Sequence, residues 1–409
     1  MNYGTYIKIY RILNDISAPE LCSGICTIST LSKIENQKNN ISPDIVNQIL
    51  KKLNGTNIDI LEENSKKIAP LVNSFYQKLE LNLDKEDLIK EITTNKKLFL
   101  NSYYILFSFV SQAYKNYDLF KLNNTHIDIP KKLESIYLLG DEKDKYYLSL
   151  ILAIKCSDST KRLDILKEKL KDESIGWSTY YYADFLFHEN RLKESIQTAQ
   201  TCYGIACKNC NIHLMYGSLL LLGLCSLNND EENSSTDALN YFKKLNNLSP
   251  FIQYDIESII NYNIGSTLLE QSKIQEAELY LTRLENKHYE YTFESFNIIH
   301  KLAYYYVETK DKTSANKYIN WLTEYSKIQT PKNQVILNKL IESLRIKLEA
   351  QNYIDNKIYQ ENIEYIFKNA SKYISLELKH FYFHDIENVY LNQRRYKDLY
   401  YLYSKKDNH

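Results

Sequence analysis

The sequence is poor in the residues that make turns. Its 409 residues include only nine glycines and six prolines. Because β-strands are connected by turns, and turns rely heavily on these two residue types, a sheet-rich architecture is excluded. Leu, Ile, Lys, Glu and Asn are abundant instead, and this composition favours long helices joined by short polar loops. We therefore expect an all-α protein.

The sequence also lacks a membrane segment and a strong charge of one sign. No uncharged apolar run is long enough to span a bilayer, and no secretion signal is visible at the start of the chain. Lys+Arg and Asp+Glu both number 51, so any surface that binds nucleic acid must be local. These features predict a cytoplasmic protein without membrane contact.

Motifs of common catalytic and cofactor sites are missing as well. There is no P-loop, no H-E-x-x-H, no G-x-S-x-G and no glycine-rich dinucleotide loop. Seven cysteines, an odd number, fit a reducing compartment. Cys202, Cys207 and Cys210 have the spacing of some iron–sulfur ligands, but they lie in helical periodicity, so buried thiols are the favoured interpretation. We expect no enzyme activity, no catalytic residue, no metal and no cofactor.

Two short helices are predicted at the N-terminus. The first places Ile7, Tyr10 and Leu13 on one face. A second begins at Ser17, where Ser17-Ala18-Pro19-Glu20 forms a capping box, and it stops near Gly24, a natural left-handed terminator.

Two more helices follow closely. Thr27 can cap a helix that carries Ile28, Leu31 and Ile34 at a spacing of three residues. Ser42 opens a fourth helix, whose inner face carries Val46, Ile49, Leu50 and Leu53. A short helix, a tight turn and a second short helix, braced on both sides, predict a helix-turn-helix.

The run Leu21–Asn36, in which GIC is followed by LSKIEN, closely resembles the xenobiotic-response-element (XRE) type of helix-turn-helix. Within that type it is most similar to the peptide-responsive regulators of low-GC Gram-positive bacteria, the Rgg/PlcR/PrgX (RRNPP) group. The resemblance implies a quorum-sensing transcription regulator. In such a regulator an intracellular pheromone peptide reshapes a repeat-domain dimer and so repositions its two helix-turn-helix units.

The resemblance also assigns DNA contacts to individual residues. Base edges in the major groove would be reached from the outward face and N-terminal part of the recognition helix, which carry Thr27, Ser29, Thr30 and Lys33. Phosphate contacts, which set register without reading sequence, would come from Ser17, Asn36 and Lys38.

Several residues qualify this resemblance. The family often has Gln at the position of Ala18 and Gly at the position of Gln37, so the local backbone is expected to differ. Glu35 matches a residue that pairs with a first-helix arginine, here Arg11, and we interpret that pair as structural. Residues 1–53 carry six Lys/Arg against four acids. Because this surplus is thin for binding phosphates, we expect a homodimer with two copies on one DNA site.

Beyond an expected link from Asn54 to Pro70, small residues recur at a regular interval. Pairs 12 residues apart are Ala183/Ser195, Gly265/Ala277 and Ala303/Ala315, and a further pair is Gly223/Ala238. Small residues let two helices cross closely. The second members are spaced by 43, 39 and 38 residues, somewhat more than the ~34 of a standard tetratricopeptide repeat. The pattern predicts a tetratricopeptide-like α-solenoid, extended by apolar periodicity alone over 70–140 and 335–405.

Solenoids of this kind bind peptides on their concave face. The outward positions of the first helix of each pair map onto that face, and they are Trp177, Tyr180, Asp184, Tyr262, Ser266, Glu270, Asn297, His300, Tyr304 and Glu308. Asn and Tyr could hydrogen-bond the backbone of a peptide, while the aromatic faces take its side chains.

These expectations combine into one organisation. A helix-turn-helix domain with its linker covers residues 1–66, and a repeat domain for peptide sensing and dimerisation covers 67–409. The expected partners are double-stranded operator DNA, a short signalling peptide and a second copy of the chain. Two alternatives stay open: a tetratricopeptide-like interaction scaffold with a vestigial helix-turn-helix, and a Rap-type response-regulator inhibitor, which shares the repeats but has no DNA-binding helix-turn-helix.

Overall fold

A computed structural model of the protein describes residues 2–37, 41–115, 132–169, 176–228, 234–252, 256–285 and 287–404. Within these ranges the chain is helical and contains no β-strand, so the predicted all-α class is confirmed. The helices pack mostly against their neighbours in the chain, in a repeat-like arrangement. The chain divides into two compact units: unit 1 comprises Met1–Phe185 and Thr201–Gly217, and unit 2 comprises Leu186–Gln200 and Ser218–His409.

Twenty-four α-helices are found in the described ranges. The first thirteen are α1 (Tyr3–Leu13), α2 (Ala18–Cys22), α3 (Ile28–Glu35), α4 (Pro43–Asn54), α5 (Ile58–Glu80), α6 (Glu86–Thr94), α7 (Lys96–Leu100), α8 (Ile105–Ala113), α9 (Leu133–Ile136), α10 (Glu142–Lys155), α11 (Ser159–Lys169), α12 (Trp177–His188) and α13 (Leu192–Lys208). The others are α14 (Ile212–Leu227), α15 (Ser234–Leu248), α16 (Glu257–Glu270), α17 (Ile274–Leu281), α18 (Phe293–Glu308), α19 (Lys312–Lys327), α20 (Pro331–Glu349), α21 (Lys357–Tyr373), α22 (Leu376–Phe381), α23 (Phe383–Asn392) and α24 (Tyr396–Ser404).

Each of the first four helices begins at a residue whose side chain caps it. The side-chain oxygens of Asn2, Ser17, Thr27 and Ser42 accept hydrogen bonds from amide N–H groups of the following turn. Such bonds satisfy amides that have no partner inside a helix. Gly55 ends α4 in the left-handed conformation, with φ 76°. The predicted helix starts at Ser17, Thr27 and Ser42 are confirmed.

The core under α1–α4 differs in detail from the sequence pattern. Ile7 is fully buried, but Tyr10 and Leu13 are only half-buried. In α3, Leu31 and Ile34 are buried while Ile28 is 53% exposed. Ile28 is the first residue of its helix, so the three-residue spacing extended the buried stripe one turn too far.

The segment expected to link two domains is largely helical. Asn57 caps α5, accepting the N–H of Ile60 at 2.8 Å, and the helix continues to Glu80. Pro70 lies inside it at an exposed position, where the missing N–H costs one backbone hydrogen bond. The helix persists because its other face is buried, with Leu61, Ile68, Val72, Phe75, Tyr76 and Leu79 in the core.

Aromatic rings fill the core of unit 1. Phe75 of α5 meets Phe107 of α8 edge-on, with centroids 5.2 Å apart, and Tyr76 stacks on Tyr147 of α10 at 5.4 Å. The Tyr76 hydroxyl donates to Asp144 Oδ1 at 2.5 Å. Burial, with the nearby Asp141, raises the pKa of Asp144 to about 7.

Small residues stand where helices cross in unit 2. A Cβ added to Gly223 would lie 2.3 Å from Cε1 of Phe242, and one added to Gly265 would lie 2.6 Å from Cδ2 of Leu281. Both distances are far below normal contact, so a larger residue would push the helices apart. Their partner residues in the sequence pattern are fully buried, as are other members of the series: Ala238, Ala277, Ala303 and Ala315.

Four helical hairpins share one type of turn: α12–α13, α16–α17, α18–α19 and α23–α24. In the third of them the N–H groups of Lys310 and Asp311 donate back to the carbonyls of Val307 and Tyr306 at 3.3 and 3.1 Å. This is the Schellman motif, with a left-handed residue at the turn. The left-handed residues are Asn190, Ser272, Lys310 and Arg394, at φ 60°, 58°, 61° and 55°. None of these residues is glycine, which is the usual sequence signal for such a turn. The sequence pattern therefore did not show that the last hairpin, α23–α24, has the same turn.

Among the described residues, no helix is both long enough and apolar enough to cross a membrane. Cys202 is buried, as predicted, whereas Cys207 and Cys210 are exposed, so the prediction of buried thiols was wrong for these two. No group of three or more His, Cys, Asp or Glu side chains in the described ranges is placed to hold a metal ion.

Candidate functional site

The first candidate surface is the exposed face of α3. The Thr27 Oγ1 accepts the N–H of Thr30 at 3.1 Å and lies 2.9 Å from the Thr30 hydroxyl. This cap fixes the start of the helix, whose buried residues point to the opposite side. Ser29 and Lys33 are therefore exposed, and Thr30 is half-exposed. The result is a short polar ridge at the surface.

The preceding helix, α2, is held at both of its ends. Ser17 Oγ accepts the N–H of Glu20, and a Glu20 carboxylate oxygen accepts the N–H of Ser17, each at 3.3 Å. At the other end Lys52 donates to the carbonyls of Glu20 and Ser23 at 2.7 and 2.8 Å, and Gly24 turns the chain with φ 78°. Lys52, one of the six cations of this region, therefore ties α4 to α2 and is less available to a phosphate.

A salt bridge joins α1 to the end of α3. Arg11 Nε and Nη2 donate to the two carboxylate oxygens of Glu35 at 2.8 and 3.1 Å, and Nη1 reaches the carbonyl of Ile16 at 3.3 Å. The hydrogen bonds to Glu35 raise the pKa of Arg11. The side chains are only 18% and 8% exposed. The pair is therefore placed to fix the orientation of α3, which agrees with its interpretation as structural.

The turn after α3 keeps a left-handed conformation although it lacks glycine. Gln37 has φ 59°, and its side-chain N–H donates to Thr5 Oγ1 at 3.1 Å, which compensates in part for the strained backbone. Close by, a Cβ on Gly4 would lie 2.1 Å from the carbonyl oxygen of Ile34. This contact between α1 and α3 is thus possible only without a side chain.

The residues predicted to contact DNA are nearly all accessible. Thr30 is half-exposed, and the exposed members are Ser17, Thr27, Ser29, Lys33 and Asn36. Lys38 lies outside the described residues. The hydroxyls of Ser17 and Thr27 act as acceptors in their caps, so their O–H groups can still donate to a phosphate. Lys33 has no ion-pair partner in the described part of the chain.

The second candidate is a buried charged cluster in unit 2. Lys347 Nζ lies 3.0 Å from Asp385, 2.5 Å from Glu308 and 2.9 Å from the hydroxyl of Tyr304. Tyr359 donates to the same Asp385 oxygen at 2.7 Å. Burial disfavours the charged ammonium, but the two carboxylates outweigh that effect and raise the pKa of Lys347.

A second set of charges lies beside α16. Lys301 Nζ is 3.7 Å from Glu377 and 3.4 Å from the centroid of the Phe381 ring. The Tyr262 hydroxyl also bonds to Glu377. Burial raises the pKa of Glu270 to about 7, although Lys301 opposes the shift. One cation therefore serves more than one carboxyl group in this part of unit 2.

Segment α22–α23 covers the polar face of α18. The Tyr382 hydroxyl lies 3.0 Å from Nε2 of His300, and Phe381 meets the Tyr304 ring edge-on at 4.8 Å. Burial lowers the pKa of His300 well below its ordinary value, with Lys301 adding to the shift. The imidazole is therefore neutral at physiological pH.

None of the residues predicted to bind a peptide is fully exposed in this structure, and four of the ten are buried. In unit 1, Trp177 is fully buried and its indole N–H donates to the carbonyl of Glu80 at 2.7 Å, while Tyr180 and Asp184 are half-buried. In unit 2 the buried members are Ser266, His300 and Tyr304, and the half-buried ones are Tyr262, Glu270, Asn297 and Glu308. The outward positions of α16 and α18 are covered because α22–α23 returns over them. Peptide contact stays a prediction, and at α18 it would require that segment to move.

Sequence reasoning missed the partners of these polar residues. Lys347 had a visible signal, since it continues the apolar stripe of Leu340 and Leu344 at helical spacing and is buried with them. A cation on such a stripe indicates a buried carboxylate nearby. Nothing in the sequence indicated that this carboxylate would be Asp385.

No family model matches the sequence, and no curated protein matches it either. What the protein does must therefore be inferred from its own residues. The exposed face of α3 and the charged cluster around Lys347 are the two features that carry functional information.

Proposed function

We propose that the protein is a DNA-binding transcription regulator in which α1–α4 form an XRE-type helix-turn-helix and α3 is the recognition helix. The observation that carries this proposal is α3 itself. It is eight residues long, it is fixed by the Thr27 cap and the Arg11–Glu35 pair, and it presents Ser29, Thr30 and Lys33 outward. A helix of this size fits the major groove, where such side chains reach base edges.

Charge considerations support a dimer. Arg11 and Lys52 already bond to protein groups, so fewer cations remain for phosphates than the sequence suggests. Each phosphate that a protein neutralises contributes to its affinity. A single copy therefore binds weakly, and two copies on half-sites one helical turn apart, about 34 Å, would give a stable complex.

We further propose that a short intracellular peptide controls this activity through unit 2, as in the quorum-sensing regulators that the sequence resembles. The supporting observation is the covered face of α18. There, Phe381, Tyr382 and Asp385 of the chain itself fit against polar and aromatic side chains. A peptide that replaced this segment would bind one arrangement better than the other, which is the requirement for shifting an equilibrium.

A mobility-shift experiment with the DNA upstream of the protein's own gene tests the DNA half. Lys33→Ala should weaken binding about five- to tenfold and flatten the dependence of log affinity on log salt by about one unit. Thr30→Ala should relax sequence discrimination. Lys312→Ala, an exposed lysine of unit 2, is the matched control and should bind like the parent. If both α3 variants keep full specific affinity, the recognition-helix assignment is wrong.

The peptide half needs a separate test. A small reading frame with a secretion signal is expected beside the gene, and its processed peptide should raise the melting temperature of the full-length protein. Absence of such a frame, together with no shift for any candidate peptide, would contradict the proposal.

The scaffold alternative also has a specific observation in its favour, because Arg11 and Lys52 are engaged within the protein. It predicts no specific binding to any DNA, even at low salt, and co-purification with a protein partner.

A further inference from the structure

A separate aromatic pocket of about 490 Å³ lies in unit 2. It is formed by residues 287–291 before α18, by Ile299 of α18, and by Lys317, Tyr318 and Trp321 of α19. Its volume falls in the range of small-molecule sites, about 300–1,000 Å³. None of its residues belongs to the charged cluster around Lys347.

The pocket walls are held in place by the protein. The indole N–H of Trp321 donates to the carbonyl of Tyr289 at 3.3 Å, and the Tyr289 hydroxyl donates to the carbonyl of Leu284 at 2.6 Å. The Trp321 ring stacks on Tyr325 with centroids 5.4 Å apart, and the Tyr291 ring is tilted against it at 4.9 Å. Rings fixed in this way lose little freedom when a ligand binds.

The same residues leave aromatic surface open to solvent. Tyr291 is 48% exposed, and Trp321 is half-buried. Tyr318 stacks on Tyr306 at 5.8 Å and forms the floor beside Ile299. An open aromatic wall of this kind favours a ligand with a flat apolar ring.

The charges at the rim of the pocket indicate which charged group a ligand would carry. Lys287 and Lys317 both line the pocket, against one carboxylate, that of Glu290. Lys317 is exposed and lies over the Tyr318 ring, 4.9 Å from its centroid, and no carboxylate of the described residues forms an ion pair with it. Lys287 already bonds to Ser258 Oγ, so Lys317 is the cation at the rim that favours an anion.

We propose that this pocket binds an aromatic ring that carries a carboxylate, with the ring against Trp321 and Tyr291 and the carboxylate at Lys317. A free aromatic acid and the C-terminal aromatic residue of a peptide share this chemistry. The inference stands apart from the proposed DNA-binding function, because either ligand can bind whether or not α3 contacts DNA.

Trp321 itself provides the measurement. The only other tryptophan, Trp177, is fully buried and belongs to unit 1, so quenching of fluorescence by a ligand in the pocket reports Trp321. The probes for the full-length protein are 3-phenylpropionate, the peptide acetyl-Ala-Ala-Phe with a free carboxylate, and the same peptide as an amide. The acid peptide should bind at least about tenfold tighter than the amide, because a charge-assisted bond to lysine is lost in the amide.

Two of the probes distinguish the source of the ligand, and two variants test the role of Lys317. Equal affinity for 3-phenylpropionate and the acid peptide would assign the site to a small aromatic acid, and preference for the peptide would assign it to a peptide terminus. Lys317→Met should remove the advantage of the acid over the amide, while Lys327→Met at the other end of α19 should keep it.

Three results would overturn the proposal: equal binding of acid and amide, tighter binding of phenyltrimethylammonium than of either acid, or unchanged calorimetric binding in Trp321→Leu. Thermal unfolding followed by circular dichroism shows whether Trp321→Leu is folded. If that variant unfolds, the comparison between Lys317→Met and Lys327→Met still decides the question.

Discussion

The outward face of α3 and the polar face of α18 carry similar kinds of residue but are held in different ways. On α3, the side chains of Thr27 and Thr30 bond within a single helical turn, and Lys33 extends into solvent. On α18, Tyr304 bonds to Lys347 and Asp385, which lie 43 and 81 residues further along the chain. The first face can accept a partner as it stands, and the second already has one within the chain.

The difference has an energetic consequence. Removing an exposed side chain from α3 takes away only what it would do for a ligand. Removing a charged member of the cluster around Lys347 leaves other charges buried without a partner, which lowers the free energy of unfolding. A polar stripe on a helix is therefore evidence for a binding surface only where no other part of the chain covers it.

The largest expected effect is at Lys347. Lys347→Met should lower the free energy of unfolding by about 3–5 kcal/mol, because Asp385 and Glu308 would stay buried without their cation. Urea unfolding at pH 7, followed by circular dichroism, measures the change.

Lys312→Met is the matched control for this prediction. Lys312 pairs with Glu349 at 2.6 Å, but both side chains are 60% exposed, so less than about 1 kcal/mol should be lost. Adding Asp385→Asn to Lys347→Met should restore part of the stability. Similar losses in the two lysine variants would mean that the α18 face is no more tightly held than an ordinary surface pair.

A smaller effect is expected where α1 crosses α3. Gly4→Ala would place a Cβ 2.1 Å from the Ile34 carbonyl oxygen, and backbone cannot move aside as a side chain can. We expect a loss of about 1–3 kcal/mol in unfolding free energy and weaker DNA binding, since α3 would be displaced. In Gly204→Ala, where no atom lies within 4 Å of the new Cβ, stability should rise by about 0.5–1 kcal/mol. If Gly4→Ala lost stability but kept its DNA affinity, the close crossing of α1 and α3 would not be required for DNA binding by α3.

The faces of α3 and α18 also show how much of the structure could be predicted from the sequence. The caps at Ser17 and Thr27 and the small residues at helix crossings follow from local rules or helical spacing, whereas the Arg11–Glu35 pair was implied by the family resemblance. The structure contains all of them. The covering of His300 and Tyr304 by Phe381 and Tyr382 depends on contacts about 80 residues apart, and no local rule specifies these.

The pH dependence of stability tests, with a smaller expected effect, whether Glu270 is buried. The pKa of Glu270 is about 7 in the folded protein and 4.5 ordinarily. The folded state therefore binds a proton that the unfolded chain has lost between these values, so stability falls as pH rises from about 4.5 to about 7. Glu270→Gln should remove this slope, so that the variant gains about 1–3 kcal/mol on the parent between pH 4.5 and pH 8.

Other titratable groups face Glu270 and are present in both proteins. Lys301 lowers and Glu377 raises its pKa. His300, whose pKa is depressed, gives the opposite slope, because its stabilisation is lost as pH falls below its ordinary pKa of 6.5. Comparison of variant and parent removes this common contribution to first order. An identical pH profile for the two proteins would mean that Glu270 is solvated, and that this part of the face is open.

The smallest expected effect separates the roles of two serines, Ser17 and Ser29. Ser17 caps α2 through Glu20, so Ser17→Ala should cost about 0.5–1 kcal/mol in thermal unfolding, and it should weaken DNA binding equally for all sequences if the hydroxyl meets a phosphate. Ser29 is exposed and caps nothing, so Ser29→Ala should leave the melting temperature nearly unchanged and alter only the discrimination between bases. If Ser29→Ala instead destabilises the protein and leaves DNA recognition intact, the polar face of α3 belongs with that of α18, as a surface whose bonds are made within the protein.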